Sequence, residues 1–325
     1  MGTLLADRRA ALCISAAWGR AHRVGAQHSR RGRAPLFDHF SESAEVLISQ
    51  NWRFTLKLIY GKSKWEMWDD PLELFLQRVV ASGFEATEIY LGSLHESPAE
   101  IARLHTAHGL RLIGQILTQG QTYQDHIKSL ESQFEFAAQC EVAFINSHTG
   151  RDIFSFEDNV RIFQRAVQLS EDNGIPLLIE THRGRPTYSA IETRRYLEAI
   201  PELRLTADFS HWMVVHESDL ADQRANVELA IARADYIHAR VGYSEGPQIP
   251  DPRAPEWGHA VNSHLALWQH IIEEYKRNGK ESLYITPEFG PPAYMHTAPF
   301  TNQPVGDVWE QNVYMKEVLA STLKT

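Results

Sequence analysis

Cysteine is almost absent from this chain. Of 325 residues only Cys13 and Cys140 are cysteines, which excludes a disulfide-stapled secreted scaffold and a cysteine-clustered zinc domain. Long apolar runs are missing as well. The longest near the start, Ala10 to Trp18, is about nine residues, half of what a bilayer-crossing helix needs, so no membrane partner is expected. Positive charge is scarce outside the first 35 residues. Those 35 hold seven arginines (8, 9, 20, 23, 30, 31 and 33) against one acid, Asp7. The leader is therefore +6 and the whole chain −9, which leaves −15 on the remaining 290 residues. A body so acidic repels a phosphate backbone, and nucleic acid is not expected as a partner. No Gly-x-Gly-x-x-Gly follows the first strand, which argues against a dinucleotide-binding sheet.

What is present begins with the leader. Residues 1–50 are rich in Ala and Arg and read as an extension outside the fold. The composition is that of a mitochondrial transit peptide, but Ser is sparse and no clear amphipathic helix forms. An untargeted disordered extension on a cytoplasmic protein is the preferred reading, with mitochondrial targeting as the alternative. The apolar content of 43% is ample for one large core.

From residue 51 to 325 a unit repeats: a short aliphatic run, a longer amphipathic run, then Gly, Asn or Pro. Strands are expected at 53–60, 86–91, 110–117, 143–147, 175–180, 203–208, 236–239 and 282–288. The helices between and after them are expected at 71–83, 98–108, 123–140, 156–172, 188–200, 219–233, 257–278 and 307–323. Pro71 just inside the first helix and Gly83 just past it are the usual punctuation. Eight strand–helix units in one chain point to an α/β fold, a (β/α)8 barrel of one domain. Such barrels carry their chemistry on loops at the C-terminal strand ends.

Four consecutive strands deliver a potential ligand where their apolar run stops. Strand 5 ends Leu-Leu-Ile-Glu180-Thr-His182-Arg183, and strand 6 ends Leu-Thr-Ala-Asp208-Phe-Ser-His211. Strand 7 ends Tyr-Ile-His238-Ala-Arg240, and strand 8 ends Ile-Thr-Pro-Glu288-Phe-Gly. The spacings of 28, 30 and 50 residues fit one unit each, the last lengthened by the Pro-rich stretch 242–255. Singly, each is as readily a cap or a packed core residue. Together they converge Glu180, Asp208, His238 and Glu288 on one point, where three carboxylates call for a divalent cation. Oxygen-rich ligation with one imidazole suits Mn²⁺, Mg²⁺ or Co²⁺, with Zn²⁺ as an alternative. Strand 4 ends Asn146-Ser-His148, and His148 is a candidate substrate contact or an ordinary turn residue. Trp65, Trp68, Trp212, Tyr294 and Phe300 could wall a pocket or pack between loops. His259 and His264 read as surface or packing residues.

These motifs, from about Trp52 to Leu323, resemble the xylose isomerase-like TIM-barrel superfamily. That group includes ketose 3-epimerases, hydroxypyruvate isomerase, inosose dehydratase and, more distantly, endonuclease IV. The resemblance implies that Glu180, Asp208, His238 and Glu288 bind one metal and that Glu180 and Glu288 double as proton-transfer groups. It also implies that His211 and Arg240 contact substrate oxygens. The chain departs from the endonuclease pattern at Asp251-Pro-Arg253, where Arg replaces a metal-binding His. Asp251 reads as a turn residue between two prolines.

The expected chemistry is that of a metal-dependent isomerase or epimerase working through an enediolate on a small sugar or polyhydroxy carbonyl compound. A dehydratase of a keto-polyol shares the first step. A non-catalytic binding barrel is the reading from another class, against which stands the intact glutamate pair. The long seventh and eighth helices offer faces for a homo-oligomer.

Overall fold

The computed structural model describes residues 55–325. The leader and the first residues of the first expected strand lie outside the described residues. Eight parallel strands close into one barrel in chain order. They are β1 (Lys57–Ser63), β2 (Ala86–Tyr90), β3 (Arg111–Leu117), β4 (Phe144–His148), β5 (Leu177–Glu180), β6 (Leu205–Ala207), β7 (Ala234–His238) and β8 (Ser282–Thr286). The helices around them are α1 (Leu72–Ala81), α2 (Pro98–His108), α3 (Tyr123–Gln139), α4 (Phe156–Asn173), α5 (Ala190–Ala199), α6 (Ser210–His216), α7 (Arg224–Ile231), α8 (Gly258–Arg277) and α9 (Val308–Thr322). No helix among the described residues is long and apolar enough to cross a membrane.

The helices start where side chains can satisfy their free N–H groups. Ser97, Ser155, Ser189 and Asp307 each accept from the backbone N–H three residues on. Thr122 and Asp125 form a reciprocal capping box on α3. Each such cap is worth about 1 kcal/mol.

The barrel interior is built in two layers, and their offset is the period of a strand. Ile59, Ala86, Ile113, Phe144, Leu178 and Tyr236 pack together inside, with Tyr284 against them. Phe144 reaches across to Tyr236 and to Tyr284 with ring centroids 5.0 Å apart in both cases. Side chains alternate along a strand, so the next inward position is two residues on. That layer reads Gly61, Glu88, Gln115, Asn146, Glu180, His238 and Thr286. An apolar plug thus underlies a polar floor at the C-terminal end of the barrel. Gly61 leaves this floor room, since a Cβ there would run into Thr286 Oγ1.

Three differences from the sequence expectation have a visible cause. β1 runs on through Gly61-Lys62-Ser63, past its expected end at residue 60. It stays extended because Lys62 is buried and paired with Glu66 at 2.5 Å. The helix α6 follows Asp208 almost at once, ahead of the helix expected at 219–233. Its Trp212 and Met213 are buried, and the Trp212 indole donates to Thr187 O at 2.9 Å. α7 is shorter than expected because a 3-10 turn at Ala221–Gln223 replaces its first turn.

His264 on α8 is a packing residue, as expected, while His259 is exposed. His264 accepts from Gly242 N at 3.2 Å and lies 2.9 Å from Ala260 O, to which its Nδ1–H donates. It therefore pins the loop after β7. Burial pushes its imidazole down from 6.5 to about 4. The folded state favours the neutral ring, so this contribution is complete above pH 6.5 and is lost as the pH falls from 6.5 towards about 4. The total is about 3 kcal/mol. Urea unfolding of the native protein and of His264→Asn between pH 7 and 5 should show a steeper acid loss in the native protein. Equal slopes would contradict the assignment.

Candidate metal and substrate site

Glu180, Asp208, His238 and Glu288 come together at the C-terminal mouth. Each offers one ligand atom, and these atoms all lie within 4.8 Å of one another. None of the four residues is more than 4% exposed. Glu180 and His238 end β5 and β7, whereas Asp208 and Glu288 lie one and two residues past β6 and β8. Thr181 holds the Asp208 backbone, accepting from Asp208 N at 2.8 Å and donating to Asp208 O at 2.8 Å. Ser210 N and Oγ donate to Asp208 Oδ1 at 2.9 and 2.5 Å, which leaves Oδ2 for the cluster.

Two buried ligand atoms lack a hydrogen bond: Glu180 Oε1 and His238 Nδ1. His238 Nδ1 is 2.8 Å from Glu288 Oε2 and 3.5 Å from Glu180 Oε2, but it is not aligned for a hydrogen bond with either. A nitrogen set among carboxylate oxygens without bonding to them suits a shared cation. Three carboxylates and one imidazole form a hard, oxygen-rich donor set. The residues present therefore fit a divalent metal.

The electrostatics point the same way. Burial above all pushes the Asp208 carboxyl up to about 6; Arg240 opposes this, and Glu288 and Glu180 add to the rise. Burial works against a charged His238, yet Glu288, Glu88 and Glu180 hold it well above the usual imidazole value. Burial also tends to raise Glu180, but His148 and His238 outweigh it and hold that carboxyl well below the usual range. Burial first, then nearby positive groups, keeps His182 and His211 well below the usual imidazole value.

Arg240, expected as a substrate contact, lines the cavity and also pairs with two of the clustered carboxylates. Its Nε donates to Asp208 Oδ2 at 3.1 Å and its Nη2 to Glu288 Oε2 at 2.7 Å. The guanidinium lies 4.3 Å from the Tyr294 ring centroid and 5.5 Å from that of Trp65. It is first an internal counter-charge to two of the four clustered acids and histidine. One nitrogen, Nη1, is buried without a partner.

A cavity of about 210 Å³ opens above the cluster, lined among others by Glu180, Glu288, Arg240, His148 and His182. Trp65, Trp68, Tyr90 and Tyr294 form its aromatic wall, and Gln115, Ser63 and Ser93 its polar one. His148 lies at the wall with its Nε2 2.7 Å from Glu180 Oε2. With Glu180 and His182 it forms a second group of candidate ligands. His211 is not at the cavity wall. It is fully buried, with its ring 4.0 Å from that of His182 and its Nε2 3.5 Å from Asp208 Oδ2. Trp212 is core, Phe300 points into solvent, and Asp251 is a turn residue bonded to Arg253 at 2.7 to 3.2 Å.

The residues that sequence reasoning missed are Glu88 and Gln115, together with the bridging role of Asn146. Glu88 is 2% exposed in the middle of β2. Asn146 Nδ2 donates to Glu88 Oε1 at 2.8 Å and to Glu180 Oε2 at 2.7 Å. The two-residue step from the apolar layer was the signal that could have found all three.

The comparisons with known proteins can be set on this geometry. The family model described as "Xylose isomerase-like TIM barrel" matches residues 76–273. No curated protein matches the chain. Among solved structures, a D-allulose 3-epimerase from Methylomonas sp. is similar in fold, with 14% identity and a TM-score of 0.56 over 83% of this chain and 98% of that one. A xylose isomerase-like barrel from Mycobacterium smegmatis, solved with magnesium, gives 13%, 0.55, 82% and 97%. A probable 3-DHS dehydratase from Bacillus anthracis gives 14%, 0.51, 81% and 98%.

Arg240→Leu should leave Asp208 and Glu288 buried without their counter-charge. The expected loss is about 3 to 5 kcal/mol in urea unfolding of the metal-free protein. A loss under about 1 kcal/mol would show that the guanidinium is not compensating them.

Proposed function

The chain belongs to the xylose isomerase-like TIM barrel family, and we propose that it is a metal-dependent isomerase or epimerase of a small sugar or related polyhydroxy carbonyl compound. The observation that carries this reading is the convergence of Glu180, Asp208, His238 and Glu288 beneath a cavity of about 210 Å³, with Glu180 Oε1 and His238 Nδ1 left unbonded. These four residues would hold the cation. When bound, a divalent cation polarises a carbonyl and acidifies the neighbouring C–H.

The protein's own groups account for the remaining steps. Glu180 and Glu288 both line the cavity, and they come from strands on opposite sides of β7 and the loop after β6. One carboxylate can take the α-proton and the other return it. Return to the opposite face of the same carbon is epimerisation; return to the adjacent carbon is isomerisation. His148, bonded to Glu180, supplies a partner for the proton that Glu180 gains. The unpartnered Arg240 Nη1 neutralises charge developing on a substrate oxygen. The aromatic wall keeps bulk water from the enediolate. His211, buried beside His182 with its Nε2 3.5 Å from Asp208 Oδ2, helps to hold that carboxylate.

Loss of a β-hydroxyl from the same enediolate would make the protein a lyase, and product mass separates the outcomes: unchanged for an isomerase, lighter by one water for a dehydratase. The test is exchange of a substrate α-proton with deuterated solvent, followed by NMR against a panel of keto-sugars with Mn²⁺ or Mg²⁺. Exchange should require the metal. It should fall at least about 100-fold in Glu288→Gln and vanish with metal binding in Asp208→Asn, while circular dichroism stays native. Full exchange in either variant would remove the site assignment. Metal binding with no exchange on any keto-sugar would favour a binding barrel.

A further inference from the structure

We infer that Glu88, acting with Asn146, is a positioning residue of the metal centre: it sets which nitrogen of His238 faces the cluster and, through Asn146, holds Glu180 in place. This rests on the reading of the four strand-end residues as a cation site. Glu88 does not line the cavity and so has no access to substrate. A carboxylate buried in the middle of a strand is costly unless donors surround it. Three do. Asn146 Nδ2 lies 2.8 Å from Oε1; His238 Nε2 and the Tyr236 hydroxyl lie 2.8 and 3.0 Å from Oε2.

The consequence for His238 follows from donor direction. Nε2 carries the proton that it gives to Glu88. Nδ1 is then the nitrogen turned to Glu288 and Glu180, and it is the one with no hydrogen bond. The ligating atom is Nδ1. A carboxylate behind a ligating imidazole fixes both tautomer and ring orientation. Asn146 is fixed in the same way. Its amide nitrogen serves Glu88 and Glu180 together, and its Oδ1 is buried without a partner. Turning the amide over would set an oxygen against two carboxylates.

Glu88→Gln keeps the volume but leaves one acceptor oxygen for two sides. If that oxygen faces Asn146, an NH₂ faces His238 Nε2, which must become an acceptor. The proton then moves to Nδ1 and closes it to the cation. If the oxygen faces His238, the NH₂ opposes the Asn146 amide, which turns over and presents Oδ1 to Glu180. In either case one ligand loses its orientation.

The experiment is a calorimetric titration of the chelator-stripped full chain with Mn²⁺. Glu88→Gln should bind about 10- to 100-fold more weakly, with a native circular dichroism spectrum. A purely structural role would lower the melting temperature of the metal-free protein and leave the Mn²⁺ dissociation constant within twofold. A second readout is ¹⁵N NMR of histidine-labelled, Zn²⁺-loaded native protein, where His238 should keep its proton on Nε2. A proton on Nδ1, or unchanged Mn²⁺ affinity in the variant, overturns the inference while the metal reading stands. If the native chain binds no divalent cation, the metal reading falls and the inference with it. Should Glu88→Gln not fold, Asn146→Ser carries the same titration, with about tenfold weaker binding expected.

Discussion

Everything at the mouth of this barrel is governed by the repulsion of acids that the fold forces together out of water. Glu180, Asp208, Glu288 and Glu88 are all buried within one layer and its rim. Against them the cluster sets one guanidinium, Arg240, and two imidazoles, His238 and His148. That is too little positive charge. Burial above all, with Glu288 and Glu180 adding to it, lifts the Asp208 carboxyl to about 6 although Arg240 touches it. A divalent cation would make up the difference without a further side chain. The acids thus account for Arg240 lying between two ligands, for the orphaned Glu180 Oε1, and for the chemistry assigned to the cavity.

The fold makes this burial tolerable by separating the work into two layers. Six inward side chains, Ile59 to Tyr236, form an apolar plug that gives the barrel its cohesion. One strand period further on, the inward positions turn polar, and their hydrogen bonds run across the barrel between strands far apart in sequence. Asn146 on β4 ties Glu88 on β2 to Glu180 on β5. Glu88 reaches His238 on β7. Because each of these residues lies on a paired strand, small displacements of one ligand are resisted by its neighbours. A buried polar network is costly when half satisfied and rigid when complete. Here two of the atoms left over, Glu180 Oε1 and His238 Nδ1, belong to the residues that would hold a cation.

The fold was legible from the chain because each unit announces itself locally, by an aliphatic run, an amphipathic run and a helix stop. The four strand-end residues were legible for the same reason, since each follows directly on an apolar run. What failed to show has a different physical origin. Glu88 stands inside Ala-Thr-Glu-Ile-Tyr, where a single acid looks like the solvent face of a strand. Only closure of the barrel makes that face the interior. Nothing in His-Ala-Arg records that Arg240 also pairs with Asp208 and Glu288, which lie just past the strands to either side. The helix α6 was missed because Ser210–His216 is short and carries its apolar residues consecutively, so no helical period shows in it. The extra length of β1 was hidden by Gly61 and Lys62, residue types that usually end a strand, and kept here by a close approach to Thr286 and by the ion pair with Glu66.

This division also explains how far a likeness of fold can reach. Glu180 and His238 belong to the strands, and Asp208 and Glu288 to the first residues beyond them, so a barrel of the same topology presents these positions in the same relation. The cavity wall is built otherwise. Trp65 and Trp68 come from the segment after β1, Tyr294 from the long segment between β8 and α9, and Ser93 from the turn after β2. Loops are where length and composition vary most freely while the strands hold. At identities of 13 to 14% the likeness to those structures is one of fold. On the proposed reading the first step would belong to the polar layer, and the choice of substrate and the fate of the proton to the cavity residues above it, Trp65, Tyr294 and Arg240 among them.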